Sequence, residues 1–416
     1  MNESALDNRF LSLTVSFAVF LFFSCMLAVP VGYTVGPAIL LITSVYVLSK
    51  RPRLDLSYED KRLVYLLLVV FLVALFMYVY HANRVRSLDL PSRYVLAVPV
   101  LFMLLGRSPR LSWLWAGLIT GCVCGAALAL WQAVALGLHR PSGFTGVIQF
   151  GDLGLAMGVF CVAGLFWAAT QARYARQWQL ALVLGAVAGG CVSVISGSRG
   201  GWIALPLVLV LFLVAFLNRQ NLARAMGLVL VLCAGLAILV VTVPSLKTRY
   251  TQAVSDVQKF DDGVADTSIG ARLALWDALF IMIPQKPVLG WSEKDYHIEL
   301  KRLVAEKKAK PVILQLANTH NNYLELWVFQ GFIGLLAVLA LMFAAFWSFC
   351  RRLRSDNMAV RVMAVCGASL LACYAVFGTS QVILGRNNTL LFFLVSLVVF
   401  WACMRREENK DRRALT

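Results

Sequence analysis

Leu63–Tyr80 reads LVYLLLVVFLVALFMYVY, an unbroken apolar run without a charge or a turn former. At 1.5 Å per residue such a stretch makes a helix of about 27 Å, close to the hydrocarbon thickness of a bilayer. Runs of the same character recur at Phe10–Val29, Leu205–Leu217 and Leu390–Cys403, from one end of the 416 residues to the other. Hydrophobic residues make up 60% and charged residues 14%, where a soluble domain carries about a quarter charged. The runs are continuous, which excludes an alternating outer-membrane barrel. The reading is an all-α polytopic membrane protein.

About twelve spans are expected, near 10–29, 31–49, 62–81, 93–106, 111–137, 150–170, 178–196, 200–217, 224–243, 323–349, 358–379 and 388–404. The first run lacks a small-residue cleavage site and reads as a retained helix. The net charge of +17 comes from 38 Lys and Arg against 21 Asp and Glu. The basic residues fall mostly between apolar runs, where they set topology and meet membrane lipids, and no nucleic-acid motif accompanies them. With a cytoplasmic N-terminus, 21 basic residues lie inside and six in short outer loops. The expected orientation therefore has both termini cytoplasmic. The expected organisation is 1–243 with nine spans, a 244–321 outer loop, 322–404 with three spans, and a basic tail at 405–416. The loop has helical periodicity. Leu275, Trp276, Leu279, Phe280 and Ile283 form one stripe, with capping candidates at Asp266–Ser268 and stops at Pro284 and Pro287. A second helix is expected from Asp295 to Lys308.

Within the expected spans charged groups are scarce, Asp152 and Glu325 being the exceptions. Charged chains at mid-membrane depth would suit ion-coupled transport, so their scarcity argues against a transporter. All ten Cys lie in or beside apolar runs and act as small hydrophobes. No Cys–His cluster suggests a metal, and Asp261, Asp262 and Asp266 fit no calcium loop, reading better as a solvated acidic turn. Polar groups gather on the outer side instead: all four His, together with Arg84, Arg86, Arg140, Arg199, Arg272 and Arg386. Such a surface suits a lipid-borne substrate with an anionic headgroup.

Three segments carry the candidate chemistry. Ser196–Trp202 reads SGSRGGW and joins two spans by a tight glycine turn, expected to lie at the start of the eighth helix. Arg199 at a helix N-terminus suits a bidentate phosphate contact. A topogenic Arg in a glycine turn is the plainer alternative, and Trp202 lies beside it. Gly270–Trp276 reads GARLALW and repeats the logic, with Arg272 expected in the first turn of a helix and Trp276 on the same face. A solvated Arg on an amphipathic helix is its alternative. Asn318–Glu325 reads NTHNNYLE and opens the tenth span, with His320 in or just before its first turn. The helix dipole there favours a neutral imidazole, which a general base requires. Asn321, Asn322 and Tyr323 suit sugar hydroxyls. A capping or interfacial His is the alternative, and Glu325 either supports the His or is simply a buried, hydrogen-bonded acid.

Together, SRGGW at 198–202, GARLALW at 270–276, GW at 290–291 and HNNYLELWVFQGFIGLL at 320–336 resemble the O-antigen ligase and O-antigen polymerase superfamily. The resemblance implies a C-type glycosyltransferase-like fold in the inner membrane of a Gram-negative bacterium. It implies transfer of O-antigen polysaccharide from undecaprenyl pyrophosphate to lipid A–core at the periplasmic face, without metal, nucleotide or other cofactor. It also implies that Arg199 and Arg272 bind the pyrophosphate and that His320 is the base; Arg140 and Arg386, on the same outer side, are further candidate substrate contacts, with Trp202, Trp276, Asn321, Asn322 and Tyr323. The chemistry is consistent with an inverting single displacement, because no pair of carboxylates stands at the spacing a covalent glycosyl-enzyme would need. An O-antigen polymerase using the same donor is the nearest alternative, followed by a protein O-glycosyltransferase and a lipid-linked glycan flippase or transporter.

Overall fold

The computed structural model describes residues 3–52, 54–217 and 267–415. The expected ninth span at 224–243, the acidic turn Asp261–Asp266 and the start of the outer loop fall outside these residues. The other eleven expected spans are all helices. Among the described residues no strand occurs, and nine helices are long and apolar enough to cross a bilayer, with shorter apolar helices at Arg9–Cys25 and Gly200–Phe216. Large side chains such as Ile42, Tyr65, Phe76, Leu184, Phe343 and Trp347 stand exposed on these helices, as lipid-facing groups do. The chain is an all-α multi-pass membrane protein.

Two compact units divide the chain. The larger comprises residues up to 72, 85–215 and from 337 onward. It holds α1 (Glu3–Cys25), α2 (Val35–Ser49), most of α3 (Tyr58–Tyr80), α4 (Ser92–Gly106), α5 (Leu111–Val134), α6 (Val147–Ala168), α7 (Ala175–Ser196) and α8 (Ala204–Phe216). The smaller comprises 73–84 and 216–336, with α9 (Ser268–Met282), α10 (Glu293–Ala305) and the first half of α11 (Asn322–Cys350). The larger unit then closes with α12 (Met358–Phe377) and α13 (Asn387–Leu415).

In the larger unit α6, α12 and α13 are buried along nearly their whole length. Phe22, Phe23, Phe160, Phe392 and Phe400 interlock at their centre, Phe160 and Phe400 edge-to-face at 4.9 Å. Helices α6 and α7 pack through small residues. A methyl group at Gly189 would meet the Gly154 carbonyl at 2.5 Å and the Gly158 Cα at 2.8 Å. This is the small-residue packing by which membrane helices approach closely. At one end of the unit, Arg405 and Arg352 are drawn into a buried network. Asp60 accepts from Trp401 Nε1 at 2.7 Å and from Ser57 Oγ at 2.7 Å, Arg405 lies 3.3 Å from Asp60, and Arg352 pairs with Glu59 and Glu408. Sequence reading treats these arginines only as topology signals, but they also tie α3, α11 and α13 together.

In the smaller unit Thr267 caps α9, its side chain accepting from Gly270 N at 3.0 Å. The buried stripe of α9 is Ala274, Leu275, Ala278, Leu279, Met282 and Ile283. Phe280, expected on that stripe, is 60% exposed, because the stripe is rotated toward the alanines. Ser292 caps α10, which ends at Ala305, before the expected Lys308. The expected tenth span is not one continuous helix: Gly331 (φ 63°, ψ −171°) interrupts α11. Its missing Cβ leaves room for the Val288 carbonyl, and Gly290, also at positive φ (72°), packs against the Gly331 backbone. The break turns backbone groups outward to the facing loop. Phe332 N donates to Pro287 O at 2.8 Å and Trp291 N donates to Val328 O at 2.7 Å.

Candidate functional site

His320 sits at the join between the loop and α11. The helix begins at Asn322, so His320 precedes it and is not in the first turn. Its backbone is left-handed (φ 53°). Asn321 is the cap, its Oδ1 accepting from Tyr323 N at 2.9 Å and Leu324 N at 3.1 Å. That oxygen is therefore committed to the helix and not open to a sugar hydroxyl. Asn318 Oδ1 accepts from His320 N at 3.0 Å. Thr319 is fully buried and bonded on all sides: its N donates to Glu325 Oε2 at 3.1 Å, and its hydroxyl donates to Asn321 O at 2.8 Å. Glu325, ambiguous from sequence, thus fixes the backbone preceding His320. His320 and Tyr323 are half-buried, and Asn322 is buried.

Arg272 and His320 belong to one constellation of the smaller unit through Trp276. The Trp276 indole N–H donates to Thr319 O at 2.8 Å. Arg272 lies one helical turn before Trp276, on the same face of α9. Because Thr267 starts the helix early, Arg272 stands in the second turn, not the first, so the free N–H groups of the helix end are not its neighbours. The join is braced from below by Trp291, buried, whose Nε1 donates to Met282 O at 3.1 Å, and by Trp327, whose Nε1 donates to Pro287 O at 3.1 Å. Tyr296 is buried against Phe329, with ring centres 4.8 Å apart. Burial, reinforced by the nearby Glu325 carboxylate, pushes its phenol well above the usual range. On α10, the Arg302 guanidinium holds the Glu299 carboxyl below its usual range.

A cleft of about 1,040 Å³ opens in the same unit, between the end of α3 and the segment entering α10. His81, Arg84, Lys286, Glu293, Lys294 and His297 line it. His81 Nε2 is 2.9 Å from Leu289 O, and Lys286 lies 4.3 Å from the Trp291 ring centre. Two of the four histidines thus belong to this cleft, which sequence reading does not delineate.

Arg199 belongs to the larger unit. It stands at the N-cap position of a 3-10 turn, Gly200–Ile203, and α8 starts only at Ala204, later than expected. Gly197 ends α7 in the left-handed conformation. The Trp202 indole N–H donates to Ser193 Oγ at 3.0 Å, which pins the turn to α7. Arg140 and Arg386 are exposed in loops of the same unit, Arg386 just before α13, and the adjoining Asn388 side chain donates to Thr145 O at 3.4 Å.

These segments coincide with a family match. Residues 184–339 fit the family described as O-antigen ligase, a stretch that includes Arg199, Arg272 and His320. That stretch is similar to the O-antigen ligase family. An O-antigen ligase of Escherichia coli K12 is 23% identical over 220 residues, 52% of this chain and 50% of that protein. A protein of Haemophilus influenzae Rd described as uncharacterized is 29% identical over 407 residues, 95% of this chain and 99% of the relative. The matched stretch starts inside α7 and ends just beyond the break in α11. The match supports a membrane enzyme of the ligase or polymerase type.

Proposed function

We propose that this protein acts as an O-antigen ligase of the Gram-negative inner membrane, with both termini cytoplasmic and its site periplasmic. It moves polysaccharide from undecaprenyl pyrophosphate to a sugar hydroxyl of lipid A–core. The observation that carries this reading is the Trp276–Thr319 bond, which couples the helix bearing Arg272 to the residue preceding His320. In the reaction the acceptor oxygen attacks the anomeric carbon from the face opposite the lipid pyrophosphate. The anomeric C–O bond breaks, and configuration inverts. The departing pyrophosphate gains negative charge, which Arg199 and Arg272 meet with paired N–H donors. The hydroxyl proton passes to His320, the general base. The cations of the Arg84–Lys294 cleft suit the anionic headgroup of the acceptor.

The ligase reading is favoured over the polymerase by the name of the E. coli relative. Deleting the gene and resolving lipopolysaccharide on a gel tests it. Loss of a ligase leaves bare core with lipid-linked polymer accumulating. Core bearing a single repeat would instead identify a polymerase, and an unchanged pattern would exclude both.

A further inference from the structure

Asp152 lies in the second turn of α6 and is 1% exposed. Its Oδ1 accepts from Ser198 Oγ at 2.7 Å. The same oxygen touches the turn again beyond Arg199: a Cβ at Gly201 would come within 2.6 Å of it. One carboxylate oxygen therefore bonds the residue before Arg199 and leaves no room for a side chain on the glycine two positions after it. The other oxygen, Oδ2, is closed from solvent and accepts no hydrogen bond from any described residue. A carboxylate half-satisfied inside an apolar span is costly, and such groups are kept for function. Ser193 secures the other side of the turn, donating to Ser198 O at 3.4 Å and accepting from Trp202 Nε1.

We propose that Asp152 is a positioning residue for the donor: through Ser198 it fixes the 198–201 turn so that Arg199 is presented to the pyrophosphate. The assignment rests on the reading of Arg199 as a pyrophosphate ligand. The Asp152 oxygen accepts from the Ser198 hydroxyl, which holds that side chain in one orientation and removes one freedom of the turn. Loss of that bond frees Ser198, the residue immediately before Arg199.

The test uses full-length enzyme in detergent, a synthetic polyprenyl-pyrophosphate-linked glycan as donor and a lipid-linked core oligosaccharide as acceptor. Asp152→Ala and Ser198→Ala should each raise the donor KM by roughly two- to tenfold, the worth of a hydrogen bond. The acceptor KM should stay unchanged. Asp152→Asn, which keeps an acceptor oxygen, should fall between wild type and Asp152→Ala. The double variant should be no worse than the weaker single, because both changes break one link. An unchanged donor KM in Ser198→Ala and Asp152→Asn would overturn the proposal, even if Asp152→Ala fails to fold. So would additive effects, or equal increases in both KM values. The underlying reading fails separately: Arg199→Ala with an unaltered donor KM removes Arg199 from the donor site whatever Asp152 does.

Discussion

Trp276→Phe is the most selective perturbation of the proposed constellation. Phe keeps an aromatic ring at the position that packs against the buried cluster of α9, α10 and α11. It removes the indole N–H, whose bond to Thr319 O is 2.8 Å long, together with the pyrrole atoms that carry it. Thr319 is fully buried, so its carbonyl is left without that donor in a place closed to water. The loss is worth about 1–3 kcal/mol, the range for a broken hydrogen bond that strands a buried partner. If the strain falls on the position of His320, turnover drops between roughly fivefold and a hundredfold. The remaining clamps, Glu325 on Thr319 N and the Thr319 hydroxyl on Asn321 O, keep the loop folded. Thermal stability should therefore change by only a few degrees while kcat falls. The assay is initial rate at saturating donor and acceptor, beside a melting curve of the same preparation. Full turnover in Trp276→Phe would refute the claim that this bond sets the geometry of His320.

Arg199→Lys and Arg272→Lys should each lose most activity, because Lys keeps the charge but not the forked donors; full activity in both at normal expression would reduce them to topogenic charges. Gly331→Ala puts a Cβ against the Val288 carbonyl at a positive φ, so expression and melting temperature should fall by far more than for Gly106→Ala, whose surroundings are open. Glu299 has a depressed pKa because Arg302 donates to it; the stability it contributes is complete above its unfolded value of about 4.3 and lost as pH falls through the folded value. Acid unfolding of Glu299→Gln should accordingly be less steep than wild type below about pH 4.3, and coincident curves would assign the pair no role. Lys308→Cys should gain labelling by an impermeant thiol reagent in intact spheroplasts; labelling only after lysis would invert the proposed topology.

Periodicity made the membrane helices legible, since each is an apolar run bounded by charge or proline and needs no partner to be recognised. Helices α9 and α10 were legible too, because Thr267 and Ser292 are local caps within three residues of the groups they bind. What sequence could not supply are contacts between distant segments. The break at Gly331 exists because Val288 and Gly290 press against it, and a glycine within an apolar run does not announce such a neighbour. Arg272 moved from the first turn to the second because the cap fell at the centre of the proposed Asp266–Ser268 window and the helix began at once. The tie from Trp276 to Thr319 spans 43 residues, and that from Asp152 to Ser198 spans 46. Both depend on packing that no local pattern encodes. Asp152 did carry a signal, as a charge inside an expected span, though nothing in the chain named its partner.

The central claim is that His320 accepts the proton of the attacking hydroxyl. Turnover of His320→Ala, measured with purified enzyme, a lipid-pyrophosphate-linked donor and a lipid-linked core acceptor, tests it most directly. A positioned base contributes about 10²–10⁴-fold, so the variant should retain no more than about 1% of wild-type kcat while binding donor normally, since the arginines hold the pyrophosphate. A His320→Ala enzyme that keeps more than about a tenth of wild-type turnover would contradict the account and leave unassisted attack, driven by leaving-group stabilisation alone, in its place.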